Sequence, residues 1–195
     1  MEIILASQSP RRREILTALG LDFRVVTSDA DENVDERDAG RLVELLSRRK
    51  GEAVRDRLLS QGQTLSDTLI ISSDTVVCAE GEILGKPRDE ADACRMLGMY
   101  SGRTHEVISG ICLIRGEEIA VSHEVTLVEF DEMSEEEILA YVRANSPYDK
   151  AGAYAIQGLA SAYISGIEGD YFNVVGLPVH RMNRLYYENF GENLL

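Results

Sequence analysis

Strands and helices are interleaved along this 195-residue chain, with hairpins among the crossovers. That order predicts an α/β fold, a mixed, twisted sheet flanked by helices. Two features anchor the prediction: a short apolar run that leads straight into a helical pattern at the start, and a long hairpin around Gly116 in the second half. The length suits one domain, or one domain of two lobes around a cleft, taken as residues 1–195.

Each element has its own reason. Ile3, Ile4, Leu5 and Ala6 read as a buried strand; Ile15, Leu16 and Leu19 share a helical face that Gly20 ends. Ser9 is placed as its N-cap and Pro10 as its first residue. Residues 23–26 form a second strand and run into an acidic loop holding Asp29, Asp31, Glu32, Asp35 and Glu36. A helix over 41–59 follows, apolar at Leu42, Leu45, Leu46, Ala53, Val54 and Leu58, with Lys50 inside it. A strand from Leu69 to about Cys78 turns at Glu80-Gly81 and returns through Ile83-Leu84. Asp89 caps a helix carrying Ala93, Met96, Leu97 and Tyr100. Residues 107–114 and 119–130 make the hairpin, and Ser134 with Glu137 forms a capping box for the next helix. Residues 151–159 are Gly-rich and strand-poor, 162–167 form a last strand, and Pro178 opens the terminal helix.

Composition narrows the function classes. A net charge of −14, no Trp and 6% aromatic residues argue against nucleic acid as a partner. A small anion entering a local basic pocket is compatible with that field. No apolar run approaches the roughly 20 residues of a membrane span, and Met1-Glu2 is no signal-peptide start, so a cytoplasmic location is expected. Cys78, Cys94 and Cys112 read as free core thiols, and His105, His123 and His180 have no metal-ligand spacing.

Against that acidic background Arg11, Arg12 and Arg13 occupy the first turn of the first helix, where the dipole is already positive. Such a turn normally prefers Asp or Glu. A bound polyanion would reverse the conflict, because free N–H groups there are natural phosphate donors. Asp74 is the second informative residue. It lies in Ser72-Ser73-Asp74-Thr75, inside an otherwise apolar strand, and is either a carboxylate satisfying local backbone donors or a general base or metal ligand. Lys86, in Leu84-Gly85-Lys86-Pro87, could aim its ammonium at a phosphate, although no P-loop spacing surrounds it. Lys50 beside Arg48 and Arg49 reads as a solvated charge on residue type alone. Glu32 and its acidic neighbours are either solvated or oxygen donors for a divalent cation shared with phosphates. Gln157 offers a donor and an acceptor side by side, which suits a uracil or thymine edge as well as it suits the local backbone.

Together these stretches resemble the Maf family of nucleoside triphosphate pyrophosphatases over nearly the whole chain. The resemblance runs through Leu5-Ala6-Ser7-Gln8-Ser9-Pro10-Arg11-Arg12, Ser73-Asp74-Thr75-Val76-Val77 and Leu84-Gly85-Lys86-Pro87. It continues through Ser101-Gly102-Arg103-Thr104-His105, Asp149-Lys150-Ala151-Gly152-Ala153-Tyr154, Ile156-Gln157-Gly158 and Val175-Gly176-Leu177-Pro178. The Asp149 to Gly158 stretch resembles the subgroup acting on dTTP and UTP, whereas Leu159-Ala160-Ser161 departs from the Gly-containing stretch usual there. The resemblance implies two lobes around a deep substrate cleft, a divalent metal (Mg or Mn) and compatibility with a homodimer. By motif, Asp74 matches the family's proton acceptor; Arg12, Thr75 and Gln157 match its specificity positions. Ser7, Arg11, Lys50 and Lys86 match phosphate-side positions, and Glu32 a metal-side position. The expected reaction is hydrolysis of dTTP, UTP or modified pyrimidine triphosphates to the monophosphate and pyrophosphate. The alternative is a nucleotide-binding regulator of septum formation with little turnover.

Overall fold

The computed structural model describes residues 1–195. Its elements in chain order are β1 (Glu2–Leu5), α1 (Pro10–Ala18), β2 (Arg24–Val25), α2 (Ala39–Ser60), β3 (Thr68–Ala79) and β4 (Glu82–Leu84). Then come α3 (Glu90–Tyr100), β5 (Thr104–Arg115), β6 (Glu118–Phe130), α4 (Glu135–Asn145), β7 (Ile164–Glu168), α5 (Tyr171–Val175) and α6 (Val179–Phe190). The strands form one open sheet of seven in the order β2-β1-β3-β5-β6-β7, with β4 paired to β3 off that path. β1 is parallel to both β2 and β3, while β4 and β7 pair antiparallel with their neighbours, so the sheet is mixed as expected.

Local chemistry explains the boundaries. Pro10 is the first residue of α1, where its missing N–H costs nothing. Asp38 and Asp89 accept hydrogen bonds from the third residues of α2 and α3, and Ser134 with Glu137 closes the expected capping box on α4. The β5–β6 hairpin turns through Gly116, whose φ of 60° favours glycine. As expected, β3 runs unbroken through Ser72-Ser73-Asp74-Thr75 and β4 ends at Leu84, before Gly85-Lys86-Pro87. Two details depart from expectation. The last strand begins at Ile164, since Leu159–Ala162 coils into a 3-10 turn, and α5 is an additional short helix.

Two compact units share the chain. The first comprises Met1–Asp74, Ser109–Glu124 and Gly176–Leu195. Its core packs Ile4, Ile70, Val54, Leu58 and Ile114. Here α2 lies unusually close to the sheet: a Cβ at Gly110 would stand 2.2 Å from the Val43 carbonyl oxygen, and one at Gly51 would stand 2.7 Å from Ser72 Oγ. The Ser72 hydroxyl donates to the Ser47 carbonyl at 2.7 Å, adding a polar tie to the same contact. The second unit comprises Thr75–Ile108 and Val125–Val175, with a core of Val77, Leu97, Tyr100, Phe130, Tyr141 and Tyr154 among others. The three cysteines are free thiols, as expected, and burial pushes the Cys112 thiol up to about 12. No helix is long and apolar enough to cross a membrane.

Candidate active site

In the first unit, the loop from β1 to α1 is organised by Ser7. Its hydroxyl accepts from the Ser9 backbone N–H at 3.1 Å and from an Arg12 Nη at 3.2 Å. Ser9 occupies the N-cap position of α1, but its side chain makes no capping bond and the first turn contains no acid. The helix start therefore presents N–H groups and the Arg11 and Arg12 side chains together, an arrangement suited to phosphate oxygens. Arg13 is exposed, as expected of three adjacent residues on a helix that turns about 100° per residue.

Arg12 is held on two sides. Its Nε donates to the Gly176 carbonyl at 2.7 Å, and that same carbonyl accepts from Ser73 Oγ at 3.1 Å. Burial lowers the Arg12 pKa from its ordinary value, and the field of Asp74 opposes the shift, as does that of Glu32. Ser73 and the Gly176 carbonyl thus belong to the site's framework. Sequence reading missed Ser73 because a lone serine in a polar run carries no distinctive pattern.

Asp74 sits on β3 with its side chain 12% exposed. It meets Lys50, which α2 delivers from the opposite side of the contact described above: Lys50 Nζ donates to Asp74 Oδ1 at 2.5 Å and lies 3.0 Å from Glu32 Oε1. Lys50 is therefore no solvated surface charge; its side chain is 14% exposed and joins the two carboxylates proposed from the sequence. One cation shared between two carboxylates shows that Asp74 and Glu32 can converge on a single positive centre. Both are hard oxygen donors of the kind Mg²⁺ or Mn²⁺ takes together with substrate phosphates. No group of three His, Cys, Asp or Glu side chains is close enough to hold a metal unaided.

In the second unit, Thr75 follows Asp74 on β3 and is half-buried, whereas Lys86 and Gln157 are exposed. Lys86 and the segment carrying Gln157 are linked through the backbone: the Gly152 N–H donates to the Gly85 carbonyl at 2.9 Å. His105, to which residue type alone gave no chemistry, is buried against that segment with Nε2 2.7 Å from the Tyr154 hydroxyl.

The structure thus joins Ser7 to Arg12, and Lys50 to both Glu32 and Asp74, by direct contacts, while Arg12 lies in the fields of Asp74, Arg11 and Glu32. Comparison with known proteins agrees with the motifs. The model of the Maf-like protein family matches residues 2–189. A dTTP/UTP pyrophosphatase of Symbiobacterium thermophilum is 48% identical, over 92% of this chain and 90% of the relative. Proteins of the same name from Alkaliphilus oremlandii and Clostridium acetobutylicum are each 44% identical over 100% of this chain, and over 99% and 100% of their own lengths.

Proposed function

The chain belongs to the Maf-like protein family, and from that premise we propose that it hydrolyses dTTP and UTP to the nucleoside monophosphate and pyrophosphate. The observation that carries the mechanism is the buried Asp74 beside Lys50, Glu32 and the cationic start of α1. Water must attack the α-phosphorus while the bond to the bridging oxygen breaks, leaving pyrophosphate. Asp74 takes the proton of the attacking water. Arg11 and Arg12, with the open N–H groups of α1, hold phosphate oxygens and stabilise charge building on the leaving group. Lys50 and Lys86 are assigned to further phosphate oxygens, and Ser7 keeps Arg12 in place. A divalent cation, Mg²⁺ or Mn²⁺, held by Asp74 and Glu32, would supply charge neutralisation and lower the pKa of bound water. Thr75 and Gln157 are assigned to the pyrimidine edge, where an amide can pair with an N3–H and its neighbouring carbonyl.

Residues 1–195 are taken as one catalytic domain, working in the cytoplasm on free nucleotides and compatible with a homodimer. Full-length relatives that bear the name dTTP/UTP pyrophosphatase favour the enzyme over a septum regulator. The test is pyrophosphate release from UTP, dTTP, CTP, GTP and ATP with Mg²⁺ or Mn²⁺. Turnover of UTP and dTTP above the others is expected. Nucleotide binding without release of pyrophosphate would leave the regulator as the better reading.

A further inference from the structure

The segment between α4 and β7 contains no α-helix or strand, only single 3-10 turns at Pro147–Asp149, Ala151–Ala153 and Leu159–Ala162. At its centre two consecutive residues are left-handed, Gly152 at φ 67° and Ala153 at φ 64°. Glu80 and Ser146 are the other non-glycine residues with positive φ, and both end an element, at a β-turn and a helix C-cap. Ala153, the last residue of its 3-10 turn, differs from them in being fully buried. An L-residue stays in that conformation only where its surroundings over-determine it, and such residues concentrate at functional sites.

The surroundings here are specific. A Cβ at Gly152 would lie 2.6 Å from Val77 Cγ2 and 2.9 Å from the Tyr100 hydroxyl, so no other residue fits. Gly152 N–H is bonded to the carbonyl of Gly85, the residue before Lys86. Tyr154, next along, is bonded through its hydroxyl to His105 Nε2 at 2.7 Å inside a ring cluster. His105 stacks on Tyr100 with centroids 4.2 Å apart, and Phe130 packs edge-on to Tyr154 at 5.0 Å. The cluster is not an economical core. Its His105 Nδ1 and Tyr100 hydroxyl are buried without hydrogen-bond partners, which phenylalanines at both places would avoid. The one satisfied polar pair is the one that fixes Tyr154, three residues before Gln157.

We infer that His105 and Tyr154 are positioning residues: their buried hydrogen bond locks the left-handed Gly152-Ala153 turn, and that turn sets both the Lys86 loop and Gln157. This rests on the assignment of Lys86 to phosphate and Gln157 to the base made above. Neither His105 nor Tyr154 touches the nucleotide.

Tyr154→Phe removes one hydroxyl and leaves the ring packing in place. In the full-length enzyme it should raise KM for UTP and lower the UTP:CTP ratio of kcat/KM about threefold to tenfold, the scale of one hydrogen bond. kcat for UTP should stay within roughly twofold. Amide exchange, followed by mass spectrometry, should speed up in the peptides covering residues 150–158 and the Lys86 loop and not elsewhere. His105→Phe should do the same, and His105→Gln, whose amide can meet the Tyr154 hydroxyl, should recover part of the ratio. If Tyr154→Phe leaves both the ratio and the 150–158 exchange unchanged, the inference is overturned. It is also overturned if activity falls equally on every nucleotide with exchange faster throughout, the mark of a merely structural bond. A wild-type enzyme that hydrolyses UTP and CTP alike defeats the Gln157 assignment instead, and the exchange experiment still decides whether the anchor exists.

Discussion

Each unit of the molecule buries a polar cluster, and the two are built on opposite principles. Around Asp74 the groups are charged: a buried ammonium 2.5 Å from one buried carboxylate and 3.0 Å from a second, exposed one, with a guanidinium held by a carbonyl nearby. Around His105 the groups are neutral. Burial pushes the His105 pKa down to about 4 and drives the Tyr154 phenol well above its usual value, so neither ring carries charge near neutrality. On the proposed function, charge is retained where the nucleotide would bind, and suppressed where only shape and a single hydrogen bond are needed. Desolvating an ion is expensive, so its persistence in one cluster is itself informative about which cluster does chemistry.

The sharpest way to break this contrast is to neutralise the charged cluster. Asp74→Asn keeps size and hydrogen bonding but cannot accept a proton, and should lower kcat by at least roughly 10²-fold with KM little changed. Steady-state kinetics with UTP checks this, and near-wild-type turnover would remove Asp74 as the base.

The neutral cluster should respond to pH in stability. The folded state keeps His105 unprotonated down to about 4, while an unfolded chain binds that proton from about pH 6.5. The unfolded state therefore holds more protons between those values, and stability falls as pH drops through that window. The loss should approach roughly 3 kcal/mol at its lower end, read from urea unfolding across the range. His105→Phe should flatten the slope; a slope that persists in that variant would locate the effect elsewhere.

Within the basic first turn the contrast becomes one between neighbours. Arg12 is fastened to Ser7 and Gly176, whereas Arg13 faces solvent. Arg12→Ala should cost about tenfold or more in kcat/KM, the scale of a lost charged hydrogen bond, and Arg13→Ala less than about twofold. Parallel kinetics on the two variants would expose a misplaced helix if the order were reversed. Among the site residues the smallest effect is expected of Gln157→Ala. It should narrow the UTP:CTP ratio by about threefold to tenfold, mainly by losing UTP activity, since a polar site rejects analogues that leave its groups unpaired. An unchanged ratio would shift base reading to Thr75 or to backbone groups.

Much of this was legible in the sequence, for reasons that can be named. Pro10, Asp89 and the Ser134–Glu137 pair act on the backbone within one turn, so their local pattern sufficed. Arg12 and Asp74 stood out because each contradicted its setting, cations at a positive helix end and a carboxylate in an apolar strand. Lys50 could not be told from Arg48 and Arg49 on residue type, since what distinguishes it is a partner 24 positions away on another element. Its phosphate-side place came from the family resemblance alone. His105 is silent in the sequence for the same reason: its partner Tyr154 is 49 residues distant, and nothing in the intervening chain announces the pair. The 3-10 turn at Leu159–Ala162 is equally silent, because its small residues carry no period of their own.

The close seating of α2 on the sheet has a further consequence. Gly110 lies against the Val43 backbone with no clearance for a methyl group, and Gly51, adjacent to Lys50, lies against the ends of the Ser72 and Ile114 side chains, which must shift to admit one. A methyl there would wedge the helix away from β3 and carry the Lys50 ammonium out of reach of Asp74, although neither glycine has a functional group to lose. The alignment of the proposed catalytic pair is thus calibrated by missing atoms. A mutational survey of this protein should find inactive variants at Gly51 and Gly110 whose chemistry is intact and whose fault is purely one of distance.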